Sequence, residues 1–111
     1  MATVQNIVID QGTTFSLDIN LTNDDASAKD LTAYTVASQM RKSYEASTAT
    51  SFTCVKVDNT GKVTISLTAA QTATLKPGRY VYDVEITGTS PVETLRVLEG
   101  LVTVTPEVTK V

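Results

Sequence analysis

The chain has 111 residues and a net charge of −3, with 41% hydrophobic and 19% charged residues. That length suits one domain, residues 1–111, because two halves would each be too small to bury a useful core, and the composition excludes a disordered chain. There is no histidine, no tryptophan and one cysteine, which excludes an intramolecular disulfide, a Ser-His-Asp or Cys-His catalytic arrangement and the commonest transition-metal ligand.

The negative charge argues against nucleic-acid binding, where a basic stripe supplies most of the affinity. The cationic residues are scattered, with Arg41-Lys42 the closest pair. The N-terminus lacks the basic start and apolar run of a secretory signal, and no apolar stretch approaches the ~20 residues of a membrane-spanning helix. The expectation is a protein made and assembled inside a cell.

In chain order, Asn6–Asp10 reads as a short edge strand, followed by a turn at Gln11-Gly12. Thr14–Thr22 alternates, with Phe15, Leu17, Ile19 and Leu21 inward and Ser16, Asp18 and Asn20 outward. Side chains on a strand repeat every two residues, so one face meets a core and the other solvent or a partner. Asn23–Asp30 is a polar loop whose Asx residues favour turns.

Tyr34–Lys42 alternates again. A helix is conceivable there, but the Tyr-Thr-Val start favours strand. Ser43–Ser51 is small and polar and reads as a connection. Phe52–Asp58 is a strand of ambiguous phase, since Phe52 and Cys54 share one face and Val55 and Val57 the other. Asn59-Thr60-Gly61 is a hairpin turn, and Lys62–Leu67 returns with Val63, Ile65 and Leu67 inward.

The period then changes. Thr68-Ala69-Ala70-Gln71 has the capping-box pattern, which predicts one short helical turn near 69–75, closed by Pro77-Gly78. Lys76–Ile86 is the clearest strand of all: Tyr80, Tyr82, Val84 and Ile86 lie on one face, Arg79, Val81, Asp83 and Glu85 on the other. Gly88-Thr89-Ser90-Pro91 is a turn. Val92–Thr105 is the longest strand, and its pattern shifts phase between odd-numbered Leu95 and Val97 and even-numbered Val102 and Val104. A one-residue bulge near Glu99-Gly100 reconciles the two. Pro106 ends the ladder, leaving Glu107–Val111 as a short C-terminal tail. The sum is an all-β, immunoglobulin-like β-sandwich of about seven strands, without the Cys…Trp…Cys signature of an antibody domain.

The chemistry in the sequence is sparse. Cys54 reads as a structural thiol in mid-strand, not a nucleophile. Asp24, Asp25 and Asp30 lack the ligand spacing and glycine of an EF-hand and read as turn carboxylates. Asp83 and Glu85 share a strand face; on a sandwich exterior they are expected to oppose Arg or Lys across a neighbouring strand, not to act as an acid/base pair. Gly61-Lys62 has no glycine before it at phosphate-loop spacing. No catalytic, cofactor-binding or metal-ligating residue is therefore assigned, no cofactor is expected, and the reading is non-enzymatic. Outer residues Val81, Leu98 and Leu101 are apolar where solvent favours charge, which predicts a covered patch.

Four stretches taken together resemble a family: Gln11-Gly12-Thr13-Thr14-Phe15; Leu31–Val36 running to Met40-Arg41-Lys42-Ser43; Gly61–Glu85 with its Ser66–Thr72 and Gly78–Glu85 segments; and Leu98–Thr109. They are similar to small virion structural proteins of tailed bacteriophages, and to the N-terminal immunoglobulin-like domain of phage baseplate upper proteins. The likeness runs from about Gln11 to Thr109 and rests on turn-and-strand features, with Ala33 where such sequences often carry glycine. The resemblance implies a virion component, tail- or baseplate-associated or capsid-decorating, assembled in the host bacterial cytoplasm. It would be present in many copies and partnered by other virion proteins, with no nucleic acid, membrane or small-molecule substrate. It carries over no catalytic residue. The long connecting region that follows this domain in a baseplate upper protein is not among the 111 residues. The alternative from another class is a surface adhesion module binding glycan or protein.

Overall fold

A computed structural model describes residues 3–22, 27, 29–89 and 92–108. In chain order the strands are β1 (Thr3–Val4), β2 (Ile7–Asp10), β3 (Phe15–Asn20), β4 (Tyr34–Arg41), β5 (Thr50–Ser51), β6 (Thr53–Val57) and β7 (Lys62–Leu67), then helix α1 (Ala69–Ala73), then β8 (Gly78–Thr89) and β9 (Val92–Thr105). They form two sheets. One runs β1-β9-β8-β4-β5, with β2 also on β9; the other runs β3-β7-β6.

This is the immunoglobulin-like arrangement. The first strand, split into β1 and β2, lies parallel to the last. The second, fifth and fourth strands of that fold form one sheet, here β3, β7 and β6, and its last, sixth and third form the other, here β9, β8 and β4. Tyr80 adds a local hallmark. It stands near the start of β8, and its hydroxyl donates to the Lys76 carbonyl 2.7 Å away, which is the tyrosine corner of such sandwiches.

One hydrophobic cluster fills the space between the sheets. The inner rows of β7 and β8, Val63, Ile65, Leu67, Tyr80, Tyr82, Val84 and Ile86, are all buried. Phe15 and Leu17 belong to the same cluster but are only half-buried, because β3 lies at a sheet edge. Phe52 settles the phase of its strand. It is buried, its N–H donates to the Ser38 carbonyl of the other sheet, and its ring packs on Phe15 and Tyr82. The chain thus crosses from β5 in one sheet to β6 in the other at Phe52, leaving Val55 58% exposed.

The helix forms where the capping box placed it. The Thr68 side chain accepts from Gln71 N–H and the Gln71 side chain accepts from Thr68 N–H. Leu75 is buried just beyond it. The Asn59-Thr60-Gly61 turn is present, with Gly61 at φ 66°.

Several expectations need correction. The first edge strand is two pieces, and β1 is an addition. The predicted turn from Gly88 starts later, since Gly88 and Thr89 still pair with Glu93 and Val92; Ser90 and Pro91 lie outside the described residues. The β9 bulge falls at Val97, not near Glu99-Gly100: Val84 pairs with Leu98 and Glu85 with Arg96, so Val97 is the extra residue. Leu98, expected outside, is 3% exposed and in the core. Gly100 has a different purpose. A Cβ there would lie 2.2 Å from the Gln5 carbonyl oxygen, so the glycine admits the backbone of the first strand, the other reason for a glycine within a strand.

Candidate protein-binding surface

The outer face of the larger sheet collects the residues that remain after the core is built. The pairing registers lay it out in rows across the strands. Val8, Thr103 and Arg79 make one row. Leu101, Val81 and Arg41 make the next. Val4, Glu99, Asp83 and Gln39 follow, then Arg96, Glu85 and Ala37.

The second row supplies an apolar step. Leu101 is 36% exposed, Val81 half-buried, and Val8 near it on the β2 edge is 64% exposed. Val81 and Leu101 lie on the outer face as expected, and Val8, not Leu98, is the apolar residue beside them.

The third and fourth rows carry charge. Arg96 Nε lies 3.3 Å from the Asp83 carboxylate and 4.0 Å from that of Glu85, and Arg96 Nη1 lies 3.7 Å from Glu99. Without the bulge, Arg96 would share parity with Leu98, Val102 and Val104 and face the core. The extra residue at Val97 turns it outward while keeping Leu95 and Leu98 on the inner side, the re-aiming a bulge performs. The expected pairing of Asp83 and Glu85 with a cation across the strand boundary is thus met by Arg96.

Three carboxylates around one guanidinium leave this group two charges negative. Burial pushes the Asp83 carboxyl above its ordinary value, and repulsion from Glu85 and Glu99 acts in the same direction, with Arg96 pulling against them.

This cluster lines one part of an open groove of about 440 Å³ whose other walls include Ala37, Gln39, Arg41 and Tyr44. Arg41 is anchored: Nη1 donates to the Ala46 carbonyl at 2.6 Å and Nη2 to Gln39 Oε1 at 3.1 Å. With the Ala46 N–H on the Ser43 carbonyl, this fixes the 43–46 turn. Tyr44 at its tip is 76% exposed.

The other sequence candidates lie apart. Cys54 is half-buried on β6; burial pushes its thiol up, against a smaller pull from the Ser38 backbone, which favours the unreactive thiol form. Asp30 accepts from both the N–H and the hydroxyl of Thr32, which holds its carboxyl below the usual value. Asp24 and Asp25 lie outside the described residues. Of the tail, Glu107 and Val108 are described. Glu107 N–H donates to Gln11 Oε1, whose Nε2 donates to the Leu75 carbonyl, so the chain beyond β9 is tied to the β2–β3 turn. Residues 109–111 lie outside the described residues. Among the described residues no three His, Cys, Asp or Glu side chains group as metal ligands would.

Sequence reading identified the Asp83–Glu85 face and the outer valine and leucine. It missed Arg96 as their partner because the bulge was placed two to three residues too late, while Tyr44 lies in the Ser43–Ser51 loop that the sequence offers as a candidate contact surface. No protein-family model matches the chain, and no curated protein matches it significantly.

Proposed function

We propose that the protein is a non-enzymatic structural component of a tailed-phage virion that works by packing its sheet faces and edges on neighbouring subunits. The observation that carries this reading is the outer face of the larger sheet, where an apolar step (Val8, Leu101, Val81) adjoins an acidic cluster organised by one arginine. Apolar area beside fixed charge is what a specific protein contact uses: the first supplies affinity, the second sets register and rejects wrong partners. A fitting partner presents an apolar strip flanked by lysine or arginine. The resemblance from Gln11 to Thr109 supplies the setting, a tail, baseplate or capsid surface.

Mass spectrometry and electron microscopy of purified particles test it. The expected result is the chain present in stoichiometric, multiple copies. Its absence from particles, or turnover of a substrate by the isolated domain, overturns the reading; specific binding to a glycan would favour the adhesion alternative.

A further inference from the structure

The two sheets treat their edges differently. In the larger sheet one edge is broken between β1 and β2, and the other is closed by the two-residue β5. Short or interrupted strands are devices that discourage pairing with another chain. β3 has neither. It is six residues long, holds its full register with β7 from Phe15 to Asn20, and among the described residues has no neighbour on its other side. It contains no proline, lysine or bulge. The first strand, which could have covered this edge, pairs with β9 instead.

The ladder alternation specifies what the edge offers. Leu21 N–H donates to the Gly61 carbonyl at the end of β3, so Leu17 and Ile19, of the same parity, direct their backbone groups to β7. Ser16, Asp18 and Asn20 direct theirs outward. All three residues are exposed, and Phe15 and Leu17 beside them are only half-buried.

We infer that this edge pairs antiparallel with the β3 edge of a second copy, joining two three-stranded sheets into one of six strands across a two-fold axis at Leu17. Opposed residues of an antiparallel pair share a face, which restricts the choice of register. With Leu17 opposite Leu17 of the second copy, Phe15 meets Ile19, an apolar pair on the core side. Ser16 meets Asp18, a hydroxyl beside a carboxylate on the outer side. The outward N–H and C=O groups of Ser16 and Asp18 then form the hydrogen-bonded pairs. Shifting the axis to Asp18 sets two aspartates directly opposite, which destabilises; shifting it to Ser16 leaves half the strand unpaired. In the Leu17 register the edge therefore sets apolar residues against apolar ones and puts no two carboxylates directly opposite. A one-strand contact is small beside the ~1,200–2,000 Å² of a stable interface, so the dimer is concentration-dependent in solution and favoured where copies are held close. The inference rests on the edge alone and holds whether or not the chain belongs to a virion.

Hydrogen exchange on the unmodified protein tests it. The Ser16 and Asp18 amides should exchange about ten-fold more slowly in concentrated than in dilute solution, while the Leu17 and Ile19 amides, bonded within the chain, stay slow at both. A second measurement fixes the register. In a Cys54→Ser background, Ser16→Cys mixed with Asp18→Cys should form a disulfide on oxidation, since paired Cα atoms about 5.5 Å apart suit that bond; neither variant alone should cross-link efficiently. Ser16 and Asp18 amides that exchange fast at every concentration overturn the pairing. Self-cross-linking by one variant overturns the register, and protection that appears only when a different protein is added assigns the edge another occupant. Particle composition does not bear on these readouts, so the two proposals fail separately.

Discussion

The two sheets of this sandwich share one core and differ in what they show outside it. The larger sheet blunts its edges and concentrates character on its face: the Val97 bulge swings Arg96 out among Asp83, Glu85 and Glu99. The smaller sheet shows Asp18, held by Lys62 and Thr64, and the exposed Val55 and Val57 on its outer face, and it keeps one clean edge in β3. The larger sheet thus carries its distinguishing features on a face and the smaller on an edge, so the two proposed contacts would use different parts of the molecule.

The sharpest test of the shared core compares partners across the β3–β7 ladder. Ile65 and Leu17 are paired, yet Ile65 is fully buried and Leu17 half-buried. Ile65→Ala should cost about 2–5 kcal/mol, from lost transfer energy plus an uncollapsed cavity. Leu17→Ala should cost less than ~2 kcal/mol if its edge is open in the monomer, because part of that side chain already meets water. Denaturant titration of dilute protein decides it; equal losses would mean that β3 is covered.

A smaller effect probes how the larger sheet holds its broken edge. The Tyr82 hydroxyl donates to the Gln5 carbonyl at 2.6 Å, and burial pushes its pKa up to about 12. Tyr82→Phe strips a partner from a carbonyl in a crowded place and should cost about 1–3 kcal/mol. Gly100→Ala should displace the same segment sterically. Both should deprotect the Gln5 amide, which bonds the Glu99 carbonyl, in hydrogen exchange. If Tyr82→Phe leaves that amide protected, the hydroxyl is not what anchors the first strand.

These contrasts also explain what could be read from the sequence. β3, β7 and β8 were legible because each lies half-buried on a two-sheet core, where the period of two is enforced residue by residue. The helix was legible because its cap is local chemistry, Thr68 with Gln71. Thr68→Ala should accordingly cost about 1 kcal/mol, measurable by thermal unfolding, and a neutral result would mean that packing of Leu75 alone holds the turn. What the sequence concealed depends on pairing between distant segments. Thr3–Val4 is a strand only because β9 is beside it. The crossing at Phe52 depends on Ser38, fourteen residues earlier. The parity conflict in β9 announced a bulge, but Gly100 drew it to the wrong place, because a glycine that admits the Gln5 backbone has the same signature as one that relaxes a ladder. Arg96, and with it the charged part of the candidate surface, followed that misplacement.

The smallest effect concerns that charged cluster. Asp83 has its carboxyl raised by burial first and by Glu85 and Glu99 after it, against the pull of Arg96. A raised folded-state value means the carboxylate form is penalised on folding. The penalty is fully present at neutral pH, shrinks as pH falls through the folded value, and is gone below the ordinary unfolded value of about 3.9. Asp83→Asn removes the penalty, while Arg96 keeps Glu85 and Glu99. The variant should therefore match or slightly exceed the parent in stability at pH 7, by less than ~1 kcal/mol, because the group is about a third exposed and solvent screens it. The two proteins should converge on acidification. A clear loss of stability at pH 7 would make the Arg96–Asp83 pair a structural necessity. The expected outcome instead marks the three-carboxylate arrangement as one the isolated fold tolerates at a cost, and a cationic neighbour would turn that cost into attraction.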